Sequence, residues 1–183
     1  MSELNYSVVA YLSGGLRDFV DGFRKRLNPN FADWLAHVSI LPPRPLQATQ
    51  KEAVQAIQRR CAQWEPFQVG IDGVATFWPV RGVVYLSLSF GSQLLVELHD
   101  ALNCGGLECV EPYPYVPHVT IAQELDEAGI HAVLEDVSRQ WSRFAGERAF
   151  HLESLSLVQQ TPENGWNDLA TLPLGSLLTP SRK

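Results

Sequence analysis

The sequence predicts an α+β fold in which a sheet-and-helix unit occurs twice, giving two similar lobes with pseudo-two-fold symmetry and a central groove. The first observation is a repeated pattern of histidine, apolar residue, hydroxyl residue and apolar residue, at residues 37–40 (His-Val-Ser-Ile) and 118–121 (His-Val-Thr-Ile). The second is that both patterns stand within the same order of elements: strand, helix, motif strand, helix and strand.

The two units also have nearly equal spacing. The next strand pattern begins 30 residues after the first motif histidine, at Phe67, and 32 residues after the second, at Phe150. Every break between predicted elements is short, so no linker separates independent domains. We therefore predict a single bilobal domain over residues 1–183, with internal repeats at about 6–78 and 83–174.

The first repeat begins with an apolar run at residues 8–12, which is typical of a strand. Apolar residues then recur at helical spacing over 16–27, and Asn28-Pro29-Asn30 is expected to end that helix because proline cannot continue it. After the first motif, a Thr-x-x-Glu capping box at Thr49 predicts the start of a second helix. Alternating apolar residues from Phe67 onward predict the strand that follows.

The second repeat follows the same order. Residues 83–88 read as a strand, and leucines at helical spacing over 94–102 predict a helix that ends near Gly105-Gly106. After the second motif, apolar residues over 130–144 predict a long helix, and those over 150–157 a final strand. Residues 155–158 and 170–174 are expected to form a hairpin around a turn-rich connection.

Composition narrows the function classes. The formal net charge is −6, which is unusual for a protein that tracks a long nucleic-acid duplex, so a small nucleotide or an RNA end is the favoured partner. Three cysteines without CxxC spacing argue for a reducing compartment and against a disulfide framework or structural zinc site. No apolar run reaches the roughly 20 residues of a membrane helix. We expect a cytoplasmic protein that is monomeric and does not bind membranes.

The paired motifs suit phosphoryl chemistry. Side chains alternate between the faces of a strand, so each motif presents its histidine and hydroxyl on one face and its apolar residues on the other. At neutral pH one imidazole can act as a base and another as an acid, because unperturbed histidine titrates near ~6.5. The hydroxyls of Ser39 and Thr120 could donate to phosphoryl oxygens. This scheme needs no metal or other cofactor.

A single His-x-Ser or His-x-Thr is common by chance, but two at equivalent places of a duplicated framework are not. Both motifs also lie in apolar runs, where an unpaired polar side chain facing the core would be costly. We therefore take His37 and His118 as candidate catalytic residues, and Ser39 and Thr120 as candidate phosphate-binding residues.

Through these two motifs the chain resembles the two-histidine phosphoesterase superfamily, in its branch related to bacterial 2′-5′ RNA ligases and cyclic phosphodiesterases. HVSILPPRPL is similar to the family's first motif with its following prolines, and PYVPHVTIAQ to its second; Ser39 stands where threonine is more usual. The resemblance covers nearly the whole chain. It implies metal-independent hydrolysis or transesterification of 2′,3′-cyclic or 2′-5′-linked nucleotide phosphates by the two histidines, with Ser39 and Thr120 holding the phosphate.

Aromatic residues near the motifs are further candidates for substrate contact. Tyr113 and Tyr115 precede the second motif and could stack on a base or pack the loop. Phe77 and Trp78 could line the groove, although core packing is the favoured interpretation.

Charged residues near the motifs leave similar alternatives. Arg44 and Arg81 could reach a phosphate from a loop, or be solvated surface residues. Arg24-Lys25-Arg26 falls in the last turn of a helix, where cations complement the helix dipole, and is assigned no catalytic role. The remaining histidines are expected at the surface, at a helix edge or on a strand outside the motifs, without catalytic function: His99, His131 and His151.

Three functions remain open from the residues alone. The leading hypothesis is a phosphodiesterase acting on cyclic or 2′-5′-linked phosphates at RNA ends or in small nucleotides. The alternative is a non-catalytic nucleotide- or RNA-end-binding module on the same scaffold. A metal hydrolase that uses the two histidines as ligands is disfavoured, because neither motif carries an acidic residue at a matching position.

Overall fold

The structure, a computed structural model, describes residues 4–27, 34–163 and 165–175. Its helices and strands follow the chain in this order: β1 (Tyr6–Tyr11), α1 (Gly14–Leu27), β2 (His37–Arg44), α2 (Gln50–Cys61), β3 (Phe67–Thr76), β4 (Val84–Leu88), α3 (Ser92–Leu102), a 3₁₀ turn (Gly105–Leu107), β5 (His118–Ala122), α4 (Glu127–Ser142), β6 (Ala149–Leu152), β7 (Ser154–Gln160) and β8 (Trp166–Pro173). The predicted α+β class is confirmed. The predicted helix stop at Asn28-Pro29-Asn30 lies outside the described residues.

The eight strands form one curled antiparallel sheet in the order β6-β3-β4-β5-β2-β1-β7-β8. The core contains the apolar stripes of all four helices and the inward side chains of the strands, including Val38, Ile40, Val119 and Ile121. In the described part of the chain, no helix is long and apolar enough to cross a membrane.

The predicted strand over residues 150–157 is two strands. β6 pairs with β3, whereas β7 pairs with β1 and β8, at the other half of the sheet. The buried residues explain the break. Phe150 and Leu152 are at even positions and Leu155 and Leu157 at odd ones, so in one continuous strand the two pairs would face opposite sides of the sheet and could not all be buried. The chain changes phase at Glu153, between the two strands.

The motif strands lie side by side at the centre of the sheet. β2 pairs with β5, and four strands make up each half of the sheet. Each half of the sheet also contains strands from the other half of the chain. β3 follows the first motif but pairs with β4 and β6, and β7 follows the second motif but pairs with β1.

Candidate active site

Strand alternation divides the two motifs between the core and the open face of the sheet. Val38, Ile40, Val119 and Ile121 are buried. The histidine and hydroxyl residues between them are partly exposed on the opposite face.

The register of β2 and β5 brings the four polar side chains together. Val38 lies opposite Val119, so the antiparallel pairing puts His37 beside Thr120 and Ser39 beside His118. Each histidine therefore neighbours the hydroxyl of the other motif, and the two histidines lie on a diagonal. Diagonal neighbours in such a ladder have Cβ atoms roughly 7–8 Å apart, which leaves room for a phosphoryl group between the imidazoles.

Both imidazoles are held in the same way by the backbone. His37 Nδ1 lies 2.6 Å from the carbonyl oxygen of Leu35, and His118 Nδ1 lies 2.7 Å from that of Val116. A carbonyl oxygen only accepts, so we assign the proton of each neutral ring to Nδ1. The Nε2 atom of each ring then carries a lone pair and is available for proton transfer.

The surroundings of both histidines favour the neutral form. Burial at the floor of the groove, with the positive charge of Arg24, lowers the pKa of His37 to about 3. Burial also lowers the pKa of His118, and the charges of Arg24 and Arg81 add to the effect. An anionic phosphate between the rings would act in the opposite direction and favour protonation.

Aromatic rings contact both imidazoles edge-on. Tyr11 meets His37 edge-on, with ring centroids 6.3 Å apart. Phe77 and Tyr85 meet His118 at 5.0 and 5.1 Å, and they stack on one another. Phe77 therefore lines the groove beside His118, contrary to the favoured interpretation of core packing.

The groove has two cavities that meet at the motif hydroxyls. A cavity of about 250 Å³ lies on the His37 side, and one of about 750 Å³ lies on the His118 side. The residues that line both cavities are Ser39, Pro43, Thr120 and Gln123. A phosphate held by the two hydroxyls would thus have space for a substituent on either side.

Arg24, for which the sequence predicts no catalytic role, forms hydrogen bonds to the backbone at both motifs. Its side chain is 5% exposed, and its Nε and Nη2 atoms donate to the carbonyl oxygen of Thr120 at 2.9 and 2.8 Å. Its Nη1 atom donates to the carbonyl oxygens of Trp34 and Leu35. The carbonyl oxygen of Leu35 also accepts the hydrogen bond from His37 Nδ1. A signal existed in the sequence: Arg24 lies four residues after Val20, so it continues the buried stripe of α1.

Arg44 occupies a different place from the one predicted. It ends β2, is 2% exposed and donates to the oxygens of Pro42, Asn103 and Leu107, and it forms an ion pair with Glu111. Its guanidinium thus binds the wall of the larger cavity. It is neither a solvated surface residue nor part of a mobile loop.

Tyr115 and His99 belong to the same buried cluster. Tyr115 donates to the carbonyl oxygen of Ser39 at 2.8 Å and stacks on His99 with centroids 4.1 Å apart. His99 contacts Glu111 through Nε2 and is buried, so its predicted surface position is wrong. Of the two interpretations of Tyr115, loop packing is the one its contacts support.

Tyr113 and Arg81 lie in the larger cavity with accessible side chains. Tyr113 is half exposed at the rim. Arg81 is exposed near His118, and within the described ranges its guanidinium has no hydrogen-bond or ion-pair partner. Over the same residues, no group of three or more His, Cys, Asp or Glu side chains is placed to hold a metal ion.

Comparison with known proteins gives a consistent set of relatives. Residues 13–164 match the family model described as the 2′-5′ RNA ligase superfamily. A Bacillus licheniformis protein, whose name assigns it provisionally to the phosphoesterases, is 28% identical over 177 residues, covering 94% of this chain and all of its own length. An Oceanobacillus iheyensis protein with the same provisional name is 25% identical over 173 residues, covering 94% and 99%. The crystal structure of E. coli LigT complexed with 3′-AMP shares the fold, with a TM-score of 0.63 at 16% identity, over 93% of this chain and 98% of LigT.

Proposed function

Because this chain belongs to the 2′-5′ RNA ligase superfamily of two-histidine phosphoesterases, we propose that it is a metal-independent phosphodiesterase. It hydrolyses, or reversibly transesterifies, 2′,3′-cyclic or 2′-5′-linked nucleotide phosphates at RNA ends or in small nucleotides. His37 and His118 are the acid–base pair of this proposal, and Ser39 and Thr120 hold the phosphate.

One observation carries the proposal: the two neutral imidazoles lie diagonally across the β2–β5 register, each beside the hydroxyl of the other motif. The Nε2 atom of one imidazole takes the proton of a water molecule or hydroxyl as its oxygen bonds to phosphorus. The bond between phosphorus and the leaving oxygen then breaks, and the other imidazole, protonated, gives its proton to that oxygen. Ser39 and Thr120 donate to the non-bridging oxygens as their charge grows.

The electrostatics of the site support this division of roles. The pKa of each histidine is lowered by burial, which favours the neutral ring that can act as the base at neutral pH. The acid must hold a proton, and the phosphate anion of the bound substrate favours that charge. We expect a bell-shaped dependence of kcat on pH, whose limbs move when either histidine is replaced.

A nucleotide is the substrate class for three reasons. LigT, which shares the fold, has been crystallised with 3′-AMP. Both cavities offer aromatic surface on which a base could stack, from Trp34 and Trp166 in the smaller cavity and from Phe77 and Tyr113 in the larger one. The net charge of −6 disfavours a long duplex. We place the protein in the cytoplasm, as a monomer, and the free cysteines Cys61, Cys104 and Cys109 support a reducing compartment.

The test is a panel of 2′,3′-cyclic mononucleotides, cyclic-phosphate-ended RNA and 2′-5′ oligonucleotides, assayed with and without excess EDTA. We expect turnover that EDTA does not change. H37A and H118A should each lower kcat by about 10²-fold or more, and S39A or T120A by roughly 10²-fold. H131A, which removes an exposed histidine of α4, is the matched control and should keep full activity.

Two results would overturn the proposal. Full activity in folded H37A and H118A would remove the acid–base pair. Tight binding of the whole panel without turnover would identify a nucleotide- or RNA-end-binding module instead.

A further inference from the structure

The wall of the smaller cavity contains polar groups that the two-histidine chemistry does not use. Tyr11 ends β1 beside His37, and its hydroxyl donates to Oδ1 of Asp168 on β8 at 2.7 Å. Trp166, two residues before Asp168, meets Trp34 edge-on with ring centroids 5.9 Å apart. All four side chains line the same cavity as His37, Ser39 and Thr120.

A carboxylate at this place restricts what the cavity can hold. Asp168 lines this cavity although its side chain is also exposed to solvent, so it disfavours additional phosphate groups and favours hydrogen-bond donors or cations. One of its oxygens already accepts from Tyr11, and the other remains a strong acceptor. Burial and the hydrogen bond to Asp168 raise the pKa of Tyr11, so the tyrosine keeps its proton and continues to orient the carboxylate.

The size and the rings of the cavity indicate a single compact group. At about 250 Å³ it is smaller than typical pockets for drug-sized ligands, which span roughly 300–1,000 Å³. Two indole rings and a phenol supply aromatic surface next to the acceptor. A sugar or base with neutral donors fits this combination of aromatic faces and one carboxylate oxygen, whereas a further phosphate does not.

We propose that the cavity on the His37 side is a nucleoside subsite, in which Asp168 accepts a hydrogen bond from a hydroxyl or N–H of the nucleoside joined to the phosphorus, and Trp166 flanks that nucleoside. This inference rests on the proposed function, because it takes the phosphate to lie between His37 and His118. It makes Asp168, Tyr11 and Trp166 the residues that distinguish a nucleotide from other phosphodiesters.

The activity test compares a nucleoside 2′,3′-cyclic phosphate with bis(4-nitrophenyl) phosphate, a diester that carries no hydroxyl or N–H donor. D168A should lower kcat/KM for the nucleotide by about tenfold or more and leave the donor-free diester nearly unchanged. N167A is the matched control, since Asn167 is the exposed neighbour on β8 and lines neither cavity of the groove. An equal loss on both substrates, or no loss on either, would overturn the subsite.

Two further comparisons of substrates separate the possible donors. If the donor is the 5′-hydroxyl, the D168A penalty disappears with the 5′-deoxy nucleotide. If it is an exocyclic amine, the penalty is larger for guanosine than for inosine 2′,3′-cyclic phosphate. A penalty that is the same for every nucleotide and for the donor-free diester contradicts both assignments.

A binding readout separates this inference from the proposed activity. The indole N–H resonances of Trp34 and Trp166, assigned with W34F and W166F, should shift when nucleoside 2′- or 3′-monophosphate is added, and D168A should weaken that binding about tenfold or more. If nucleotides bind in this way but none is turned over, the subsite stands and the phosphodiesterase proposal fails. If nucleotides are turned over but the indole resonances do not move, the subsite fails and the activity stands.

Discussion

At the scale of single residues, Arg24 adds side-chain hydrogen bonds to the direct pairing of the two motif strands. It donates to the carbonyl oxygens of Thr120 on β5 and of Leu35, and the Leu35 oxygen also accepts the hydrogen bond from His37 Nδ1. Its charge also lowers the pKa of both motif histidines. Arg24 is therefore a positioning residue with two measurable effects, one on stability and one on proton affinity.

The substitution R24M, compared with K25M, should separate these two effects from the effect of removing any positive charge at the surface. It removes the hydrogen bonds that the buried guanidinium donates to the carbonyl oxygens of Thr120, Trp34 and Leu35, at a cost of about 1–3 kcal/mol or more in the free energy of unfolding. It should also raise the pKa of His37 and of His118, measured by NMR titration of the imidazole nitrogens. K25M removes a neighbouring exposed charge and should change neither quantity. Unchanged histidine pKa values in folded R24M would contradict the positioning role.

The two histidines also make the stability of the protein depend on pH. Their pKa values in the folded protein lie below the unfolded value near ~6.5, so below that pH the unfolded chain binds protons that the folded chain does not. The two histidines should therefore leave the free energy of unfolding unchanged above pH 6.5. They should lower it as the pH drops from 6.5 towards 3.

Urea unfolding at pH 7.5 and at pH 5 measures this dependence. We expect His37, whose pKa in the folded protein is about 3, to contribute a loss on the order of 2 kcal/mol at pH 5, and His118 to add a loss in the same direction. The double variant H37Q/H118Q should lose less between the two pH values than the wild type does, whereas H131Q should behave like the wild type. Equal losses in all three proteins would show that the motif histidines are not the groups responsible.

At the scale of elements, the wall of the larger cavity is held to the first motif by a buried network. Arg44 at the end of β2 contacts Glu111, which contacts His99 on α3, and His99 stacks on Tyr115. Tyr115 then donates to the carbonyl oxygen of Ser39. The loop between α3 and β5 is thus fixed at both ends to the strand that carries His37.

Two pairs of variants test this network. E111Q removes the charge that compensates the buried Arg44 guanidinium, and we expect a loss of roughly 3–5 kcal/mol in unfolding free energy. E153Q, in an exposed pair with His151, should cost about 0–1 kcal/mol. Y115F should cost about 1 kcal/mol and raise KM, because the loop loses its bond to Ser39. Y113F should leave stability unchanged, since Tyr113 is half exposed.

The same network shows what local sequence patterns could and could not predict. Alternation in β2 and β5 predicted which side chains face the core, because that periodicity depends only on strand geometry. Apart from Pro42, two residues earlier, the partners of Arg44 lie 59 to 67 residues away along the chain. No local pattern indicates such contacts. The sequence therefore left Arg44 as a phosphate contact or a solvated surface residue, left Tyr115 between base stacking and loop packing, and predicted His99 at the surface or at a helix edge.

At the scale of the whole molecule, the recurring order of elements could be predicted from the sequence, whereas the exchange of strands could not. The order strand, helix, motif strand, helix and strand occurs in both repeats. Strand partners are chosen by tertiary packing, and β3 pairs with strands of the second repeat while β7 pairs with β1 of the first. Each half of the sheet therefore contains strands from both halves of the chain, and neither chain half holds a complete sheet half.

This exchange predicts that the two repeats fold as one unit. A fragment of residues 1–80 would leave β3 without both of its partners and β1 without β7, which exposes long apolar strand edges. We expect this fragment and residues 81–183 each to lack a dispersed NMR spectrum alone, and to regain one when mixed. The full chain should unfold in a single transition that coincides in tryptophan fluorescence and circular dichroism. A folded 1–80 fragment, or two separate transitions, would mean that the lobes are independent domains, in which case the diagonal of His37 and His118 would depend on how two bodies dock and not on the register of one sheet.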